Sequence, residues 1–210
     1  GGTFRFYSRN SAGKYPLDVG ELRRAFLGSQ EIIERIRSFR LERVAIITAN
    51  EAPVTLPETG KIILHIVPFR AFEPGVLYDV SSLKEKRAAD LMPIGIDSCS
   101  FRHNFDGLLA FSDTLVYLQV FRNGVIEAVD TLLLRQRPGE QGFIPSIAYE
   151  KRLIEAVGSY QRIQQTLGVD PPMALMLTVT GVKGYRMGVS TEFFLRDAET
   201  FIDLDLLFIP

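Results

Sequence analysis

Only one cysteine, Cys99, occurs in 210 residues, so no intrachain disulfide can form and a secreted, disulfide-framed domain is excluded. No apolar run approaches the roughly 20 residues that a membrane-spanning helix needs, and no signal peptide opens the chain. There is no G-x-x-x-x-G-K-[ST] phosphate loop, no internal repeat and no low-complexity tract. Net charge is almost absent: 24 Lys+Arg against 25 Asp+Glu leave -1, which exerts no global pull toward nucleic acid or membrane. The expectation is a protein of the reducing cytoplasm with no membrane partner and no cofactor.

What is present suits a globular chain. Hydrophobic residues make up 46% and charged residues 23%, enough to bury the core of one domain or one domain plus an appended piece. The charge is unevenly spread. Residues 1–50 carry nine Lys/Arg against five acids, net +4, whereas residues 187–210 carry Arg196 against five acids, net -4. Such asymmetry marks a polyanion-facing end, or two ends that attract one another.

Residues 3–7 alternate aromatic and polar side chains as a strand, and a strand so close to the start suggests that its partners lie upstream. A polar loop, 8–16, follows. Asp18 with Glu21 forms a capping box for a first helix that Gly28 ends, and Ser29 opens a second to about residue 50, with Ile32, Ile33, Ile36, Phe39, Val44 and Ile47 as its apolar stripe. Residues 61–69 and 173–182 are nearly all apolar and read as buried strands, and 105–112 as a further strand. Residues 70–102 carry little pattern. Two β-rich runs, 115–122 and 125–134, meet at Asn123-Gly124, the signature of a two-residue type I′ turn. That turn opposes Val120 with Glu127 and makes Arg122 and Glu127 diagonal neighbours, an ion pair worth roughly 0.2–1 kcal/mol. Ser146 caps a helix to residue 167, closed by Gly168, and short strands are expected near 185–189 and 204–209. The fold class is α+β: an antiparallel or mixed sheet containing a tight Asn-Gly hairpin, with two main helices packed on it.

The run FRFYSRNSAGKYPLDVGELRRAF (Phe4 to Phe26) resembles a segment of bacterial proteins that carry a Schlafen/AlbA-type DNA-binding domain, where a similar strand, loop and short helix close that domain. FRHNFDG (Phe101 to Gly107), YLQVFRNGVIEAV (Tyr117 to Val129) and GVKGY (Gly181 to Tyr185) resemble the uncharacterised region that follows it. The resemblance implies that residues 1–27 are the closing strand and helix of an upstream AlbA-type domain, and residues 28–210 a C-terminal α+β domain. The family's acidic, nuclease-associated motif belongs to the front half of the AlbA-type domain, which this sequence does not contain, so no residue here inherits a catalytic role.

Several residues are candidates for chemistry. Arg5, Arg9 and Lys14, interleaved with Phe4, Phe6, Tyr7 and Tyr15, combine cations for phosphates with aromatic faces for bases, and Arg23 and Arg24 extend the basic patch. The plainer reading is a solvated strand edge whose aromatics pack on missing strands. By helical spacing Arg40 and Arg43 project onto the apolar stripe of their helix, and Glu150 onto that of the helix from Ser146. A charge facing a core is costly unless paired, so Glu150 is expected to clasp Arg40 or Arg43, the alternative being that each snorkels at the rim of its stripe. Asp97, Cys99, His103 and Asp106 share a loop-like stretch but lack the paired spacing of a zinc site, and His65 reads as a core histidine.

Three readings follow. The first is a non-catalytic accessory region of a nucleic-acid-binding or nucleic-acid-processing bacterial protein, in defence or regulation, meeting nucleic acid through the basic N-terminal segment. The second is a structural or oligomerisation module that positions the upstream domain, through its helices or an exposed sheet edge. The third is an enzyme in which Glu150, His103 and Asp106 converge.

Overall fold

The computed structural model describes residues 7–10, 13–16, 19–134, 136, 139, 142–188 and 201–209, and divides into two compact units, Gly1–Phe39 and Arg40–Pro210. The division falls inside a helix.

In the first unit, β1 (Tyr7–Asn10) and β2 (Gly13–Pro16) form an antiparallel pair, so part of the stretch expected to be loop is a hairpin. Its register opposes Ser8 with Tyr15 and Arg9 with Lys14. The strand expected from residue 3 lies mostly outside the described residues. Helix α1 (Val19–Thr48) follows without a break at Gly28, where two helices were expected. Gly28 is helical, and one interior glycine costs only about 1 kcal/mol, which the 30-residue helix absorbs. The Gly28-Ser29 pair looks like a stop and a start, yet neither side chain chemistry nor backbone freedom compels one.

The second unit is built on a seven-stranded sheet. Its strands are β3 (Lys61–Pro68), β4 (Ser100–His103), β5 (Gly107–Ser112), β6 (Val116–Phe121), β7 (Ile126–Asp130), β9 (Met173–Thr180) and β11 (Leu206–Ile209), in the order β11-β9-β3-β7-β6-β5-β4. Every pairing in it is antiparallel. Two further strands, β8 (Phe143–Pro145) and β10 (Arg186–Gly188), pair parallel beside it. Helix α3 (Ser146–Leu167) starts after Pro145 and stops at Gly168, whose φ of 75° lets its N–H reach back to the carbonyls of Gln164 and Gln165. The weakly patterned stretch holds a 3-10 turn (Phe69–Phe72), the short helix α2 (Leu83–Arg87) and the edge strand β4. No helix among the described residues is long and apolar enough to cross a membrane. The α+β class stands, with an all-antiparallel main sheet.

Strand alternation splits the core. Leu64, Ile66, Leu118, Val120, Ile126 and Ala128 pack with Ala156, Tyr160 and Ile163 of α3. Ile63, Leu109, Tyr117 and Val129 point the other way and pack with Val44 and Ile47 of α1. The C-terminal part of α1 and α3 therefore cover opposite faces of the central strands.

The turn between β6 and β7 departs from the sequence expectation. The observed register opposes Val120 with Ile126 and Gln119 with Glu127, one residue away from the two-residue hairpin. Phe121 N–H donates to Val125 O at 2.9 Å and Gly124 N–H to Phe121 O at 3.0 Å, so three residues, Arg122, Asn123 and Gly124, make the loop. Only Gly124 has positive φ, at 82°, whereas a type I′ turn would require it of Asn123 as well. Because the side-chain period in a strand is two, this slip moves Glu127 to the opposite relation with its neighbour strand. Arg122 donates through Nε to Phe105 O at 3.2 Å, and the expected Arg122–Glu127 pair does not form.

Candidate functional site

On the α1 face of the sheet, three side chains converge on one carboxylate. His65 of β3 and Glu127 of β7 are direct register partners, and Tyr117 of β6 sits diagonally across. Arg43 reaches them from α1. Its Nε and Nη2 donate to Glu127 Oε2 and Oε1 at 2.8 and 2.7 Å, a two-pronged charge-assisted contact. His65 Nε2 lies 2.9 Å from Oε2, and the Tyr117 hydroxyl donates to Oε1 at 2.8 Å. His65 and Glu127 are fully buried, while the Arg43 side chain keeps 15% exposure. The arginine guanidinium also lies 5.3 Å from the Phe121 ring centroid.

Burial by itself would push the Glu127 carboxyl up. The bonds from Arg43 and His65 outweigh it and hold the group at about 2. The same carboxylate, after burial, raises the Tyr117 phenol, and it keeps Arg43 protonated against the cost of desolvation. Since each Glu127 oxygen already accepts two hydrogen bonds, its lone pairs are spent, and the carboxylate has none left to take a proton from a substrate.

Arg40, one helical turn earlier, makes a second fastening. Its Nε donates to Thr178 Oγ1 at 2.9 Å, its Nη2 to Leu177 O and to Ile209 O, the latter at 3.2 Å, and its guanidinium lies 4.5 Å over the Phe208 ring. Arg40 and Arg43 thus tie the end of α1 to β7, β9 and β11. Helical spacing placed both arginines on the buried side, but the acid that answers Arg43 is Glu127, not Glu150. Glu150 is exposed on α3. The sheet itself stands between α3 and the face that Arg40 and Arg43 occupy, which is why no clasp between the helices forms.

Of the basic candidates, Arg5 lies outside the described residues. Arg9 and Lys14 share one rung of the β1–β2 hairpin, and Arg23 and Arg24 fall on α1 within the first unit. Asp97, His103 and Asp106 are exposed, and Cys99 is half-buried, with its Sγ 3.7 Å from Met92 Sδ. No group of three His, Cys, Asp or Glu among the described residues could hold a metal ion. A cavity of about 820 Å³ is lined by Glu58, Thr59, Lys61, Thr131, Tyr185 and Asp205 among others, and by none of Glu150, His103 or Asp106.

Sequence reasoning missed the Glu127 cluster, although a signal for it existed. His65 in KIILHIVP and Glu127 in IEAVD are ionisable groups with an apolar neighbour on each side along the strand, and both needed a partner. The wrong hairpin register assigned Glu127 to Arg122 and hid the match. No protein-family model matches the chain, and neither a curated protein nor a solved structure matches it.

Proposed function

We propose that this chain is a non-catalytic accessory region of a nucleic-acid-binding or nucleic-acid-processing bacterial protein of the Schlafen/AlbA type, with the basic first unit as its nucleic-acid contact. The observation that supports this most is the β1–β2 register, in which Arg9 opposes Lys14. Like charges at one rung of a hairpin destabilise it unless an anion neutralises them. A phosphate backbone does so, and Tyr7, two residues before Arg9 on β1 and so on the same face of the hairpin, is an aromatic residue of the kind that stacks on unpaired bases. The commitment of Glu127 to Arg43, His65 and Tyr117 agrees with a scaffold role for the second unit.

The test is fluorescence anisotropy with single-stranded DNA and RNA oligonucleotides across a salt series. Arg9→Ala and Lys14→Ala should each weaken binding and flatten the log–log salt dependence by about 0.7. Binding that ignores salt, or that survives both changes, would overturn the proposal. A second reading, an oligomerisation module that positions an upstream domain, is favoured by the exposed apolar edge at β11, where Leu206, Phe208 and Ile209 retain 39%, 44% and 39% exposure.

A further inference from the structure

A cavity of about 820 Å³ opens where β3 begins, β9 ends and the chain leaves β7 and enters β11. Its described lining belongs wholly to the second unit and includes no member of the Glu127 cluster. The volume falls within the range of small-molecule sites, roughly 300–1,000 Å³. Which molecule would suit it follows from the hydrogens and charges that its walls have to offer.

Few hydrogens remain. Thr48 Oγ1 donates to Val44 O at 2.8 Å, and Thr59 Oγ1 to Leu134 O at 3.3 Å. A hydroxyl carries one hydrogen, so both oxygens can only accept from a ligand. The buried hydroxyls of Thr131 and Tyr185 are likewise turned to Leu115 O and Leu134 O, at 2.7 and 2.9 Å. The main chain is committed in the same way: the amides of Thr59, Leu115, Thr131 and Gly181 donate to Pro57 O, Ser112 O, Leu115 O and Asp205 O. Charge points in the same direction. Lys61 is the one cation among the described lining residues, against the two acids Glu58 and Asp205, net -1. Both acids act on the Lys61 ammonium electrostatically, yet among the described residues neither carboxylate closes an ion pair or accepts a hydrogen bond. Lys61 Nζ donates instead to Thr59 O at 3.2 Å.

We propose that this cavity binds a short aliphatic polyamine, with ammonium groups on Glu58 and Asp205, N–H hydrogens on the Thr48 and Thr59 hydroxyl oxygens, and methylenes against Pro57 and Leu115. An anion would meet one ammonium, two opposing carboxylates and amides already in use. A metal ion is no better served, since no group of three His, Cys, Asp or Glu among the described residues could hold one. A cation that brings its own hydrogen-bond donors answers the charge and the lone pairs together. Half-buried Pro57 and Leu115 give its hydrocarbon stem an apolar wall. This inference stands apart from both readings of the function given above.

Isothermal titration calorimetry of the full chain, freed of nucleic acid, with spermidine as the probe tests the proposal. One equivalent should bind, and Glu58→Gln and Asp205→Asn should each raise the dissociation constant about fivefold, the effect of one partly screened charge. Both side chains are exposed, and Asp205→Asn keeps the carbonyl that Gly181 N–H uses, so both variants should melt with the wild type. Lys61→Met keeps the aliphatic stem and removes the resident cation. It should tighten spermidine binding by a similar factor, whereas a site for phosphate would lose its ligand. Glu150→Gln, exposed on α3 outside the cavity, should change nothing, and magnesium in about tenfold excess should not displace the amine. Absence of binding, indifference to both carboxylate variants or weaker binding in Lys61→Met overturns the proposal. An equal loss in Glu150→Gln, or displacement by magnesium, overturns it as well by showing general attraction of cations to the surface.

Discussion

Two buried carboxylates, three residues apart on β7, sit in opposite electrostatic circumstances. Glu127 faces α1 and is neutralised by Arg43, whereas Asp130 is buried with one oxygen, Oδ1, accepting from Leu133 N–H at 2.9 Å, and with Oδ2 meeting no hydrogen-bond donor among the described residues. Burial pushes Asp130 up to about 6, against the pull of the Leu133 amide and of Arg152. The two groups therefore drive stability in opposite directions. Glu127, held below its unfolded value of 4.5, contributes stability that is present above that pH and lost as pH falls toward about 2. Asp130, raised from 3.8 to about 6, binds its proton more tightly when folded, so stability falls as pH rises through that window, by about 3 kcal/mol at most. Chemical denaturation at a series of pH values should show that decline in the wild type and its absence in Asp130→Asn. For the other carboxylate, Arg43→Met should cost about 3–5 kcal/mol, because it strands a buried charge, and Glu127→Gln should cost a comparable amount. The double variant should lose much less than the sum, a coupling that a double-mutant cycle measures. None of this was legible residue by residue. His65, Arg43 and Glu127 each announce an unmet need, but the pairing depends on a strand order that brings residues 43, 65 and 127 together.

Elements were legible wherever chain punctuation and composition agreed. Helix α3 spans Ser146–Leu167 between Pro145 and Gly168, and β3 and β9 are the apolar runs that their composition suggests. Where the two disagreed, punctuation misled. Gly28-Ser29 and Asn123-Gly124 both carry strong local signals, and in both places the longer-range arrangement prevails: one helix continues, and one extra residue enters the turn. The glycines themselves report this. At Gly28 an added Cβ meets nothing within 4 Å and the backbone is helical, so Gly28→Ala should raise helicity and stabilise the chain by about 1 kcal/mol. A left-handed helix stop at that position would instead make alanine destabilising, so circular dichroism on this variant distinguishes one helix from two. At Gly124 a Cβ would lie 2.9 Å from Val169 Cγ2 with φ at 82°, and Gly124→Ala should cost about 1–3 kcal/mol in thermal or denaturant unfolding. The short elements of residues 70–102 stayed illegible because a five-residue helix and a four-residue strand are too brief to show a period.

At the scale of the whole molecule, what matters is where the chain can be cut without breaking the buried network. The second unit begins at Arg40, and the helix segment after it supplies Arg40, Arg43, Val44 and Ile47, all of which bond or pack to the sheet. A chain starting at residue 29 keeps that entire segment with more than two turns of helix before it. It should fold cooperatively and melt within a few degrees of the full chain. A chain starting at residue 49 would take Arg43 from Glu127 and uncover the apolar face that Val44 and Ile47 pack against, and should lose about 3–5 kcal/mol or more. The same pair of truncations separates architecture from nucleic-acid contact, because the 29–210 chain retains the scaffold while dropping Arg5, Arg9, Lys14, Arg23 and Arg24. Salt-dependent oligonucleotide binding should vanish in it, with the melting transition preserved. Binding that persists in that fragment would move the nucleic-acid surface onto the second unit, and would require its exposed cations, rather than the β1–β2 hairpin, to carry the interaction.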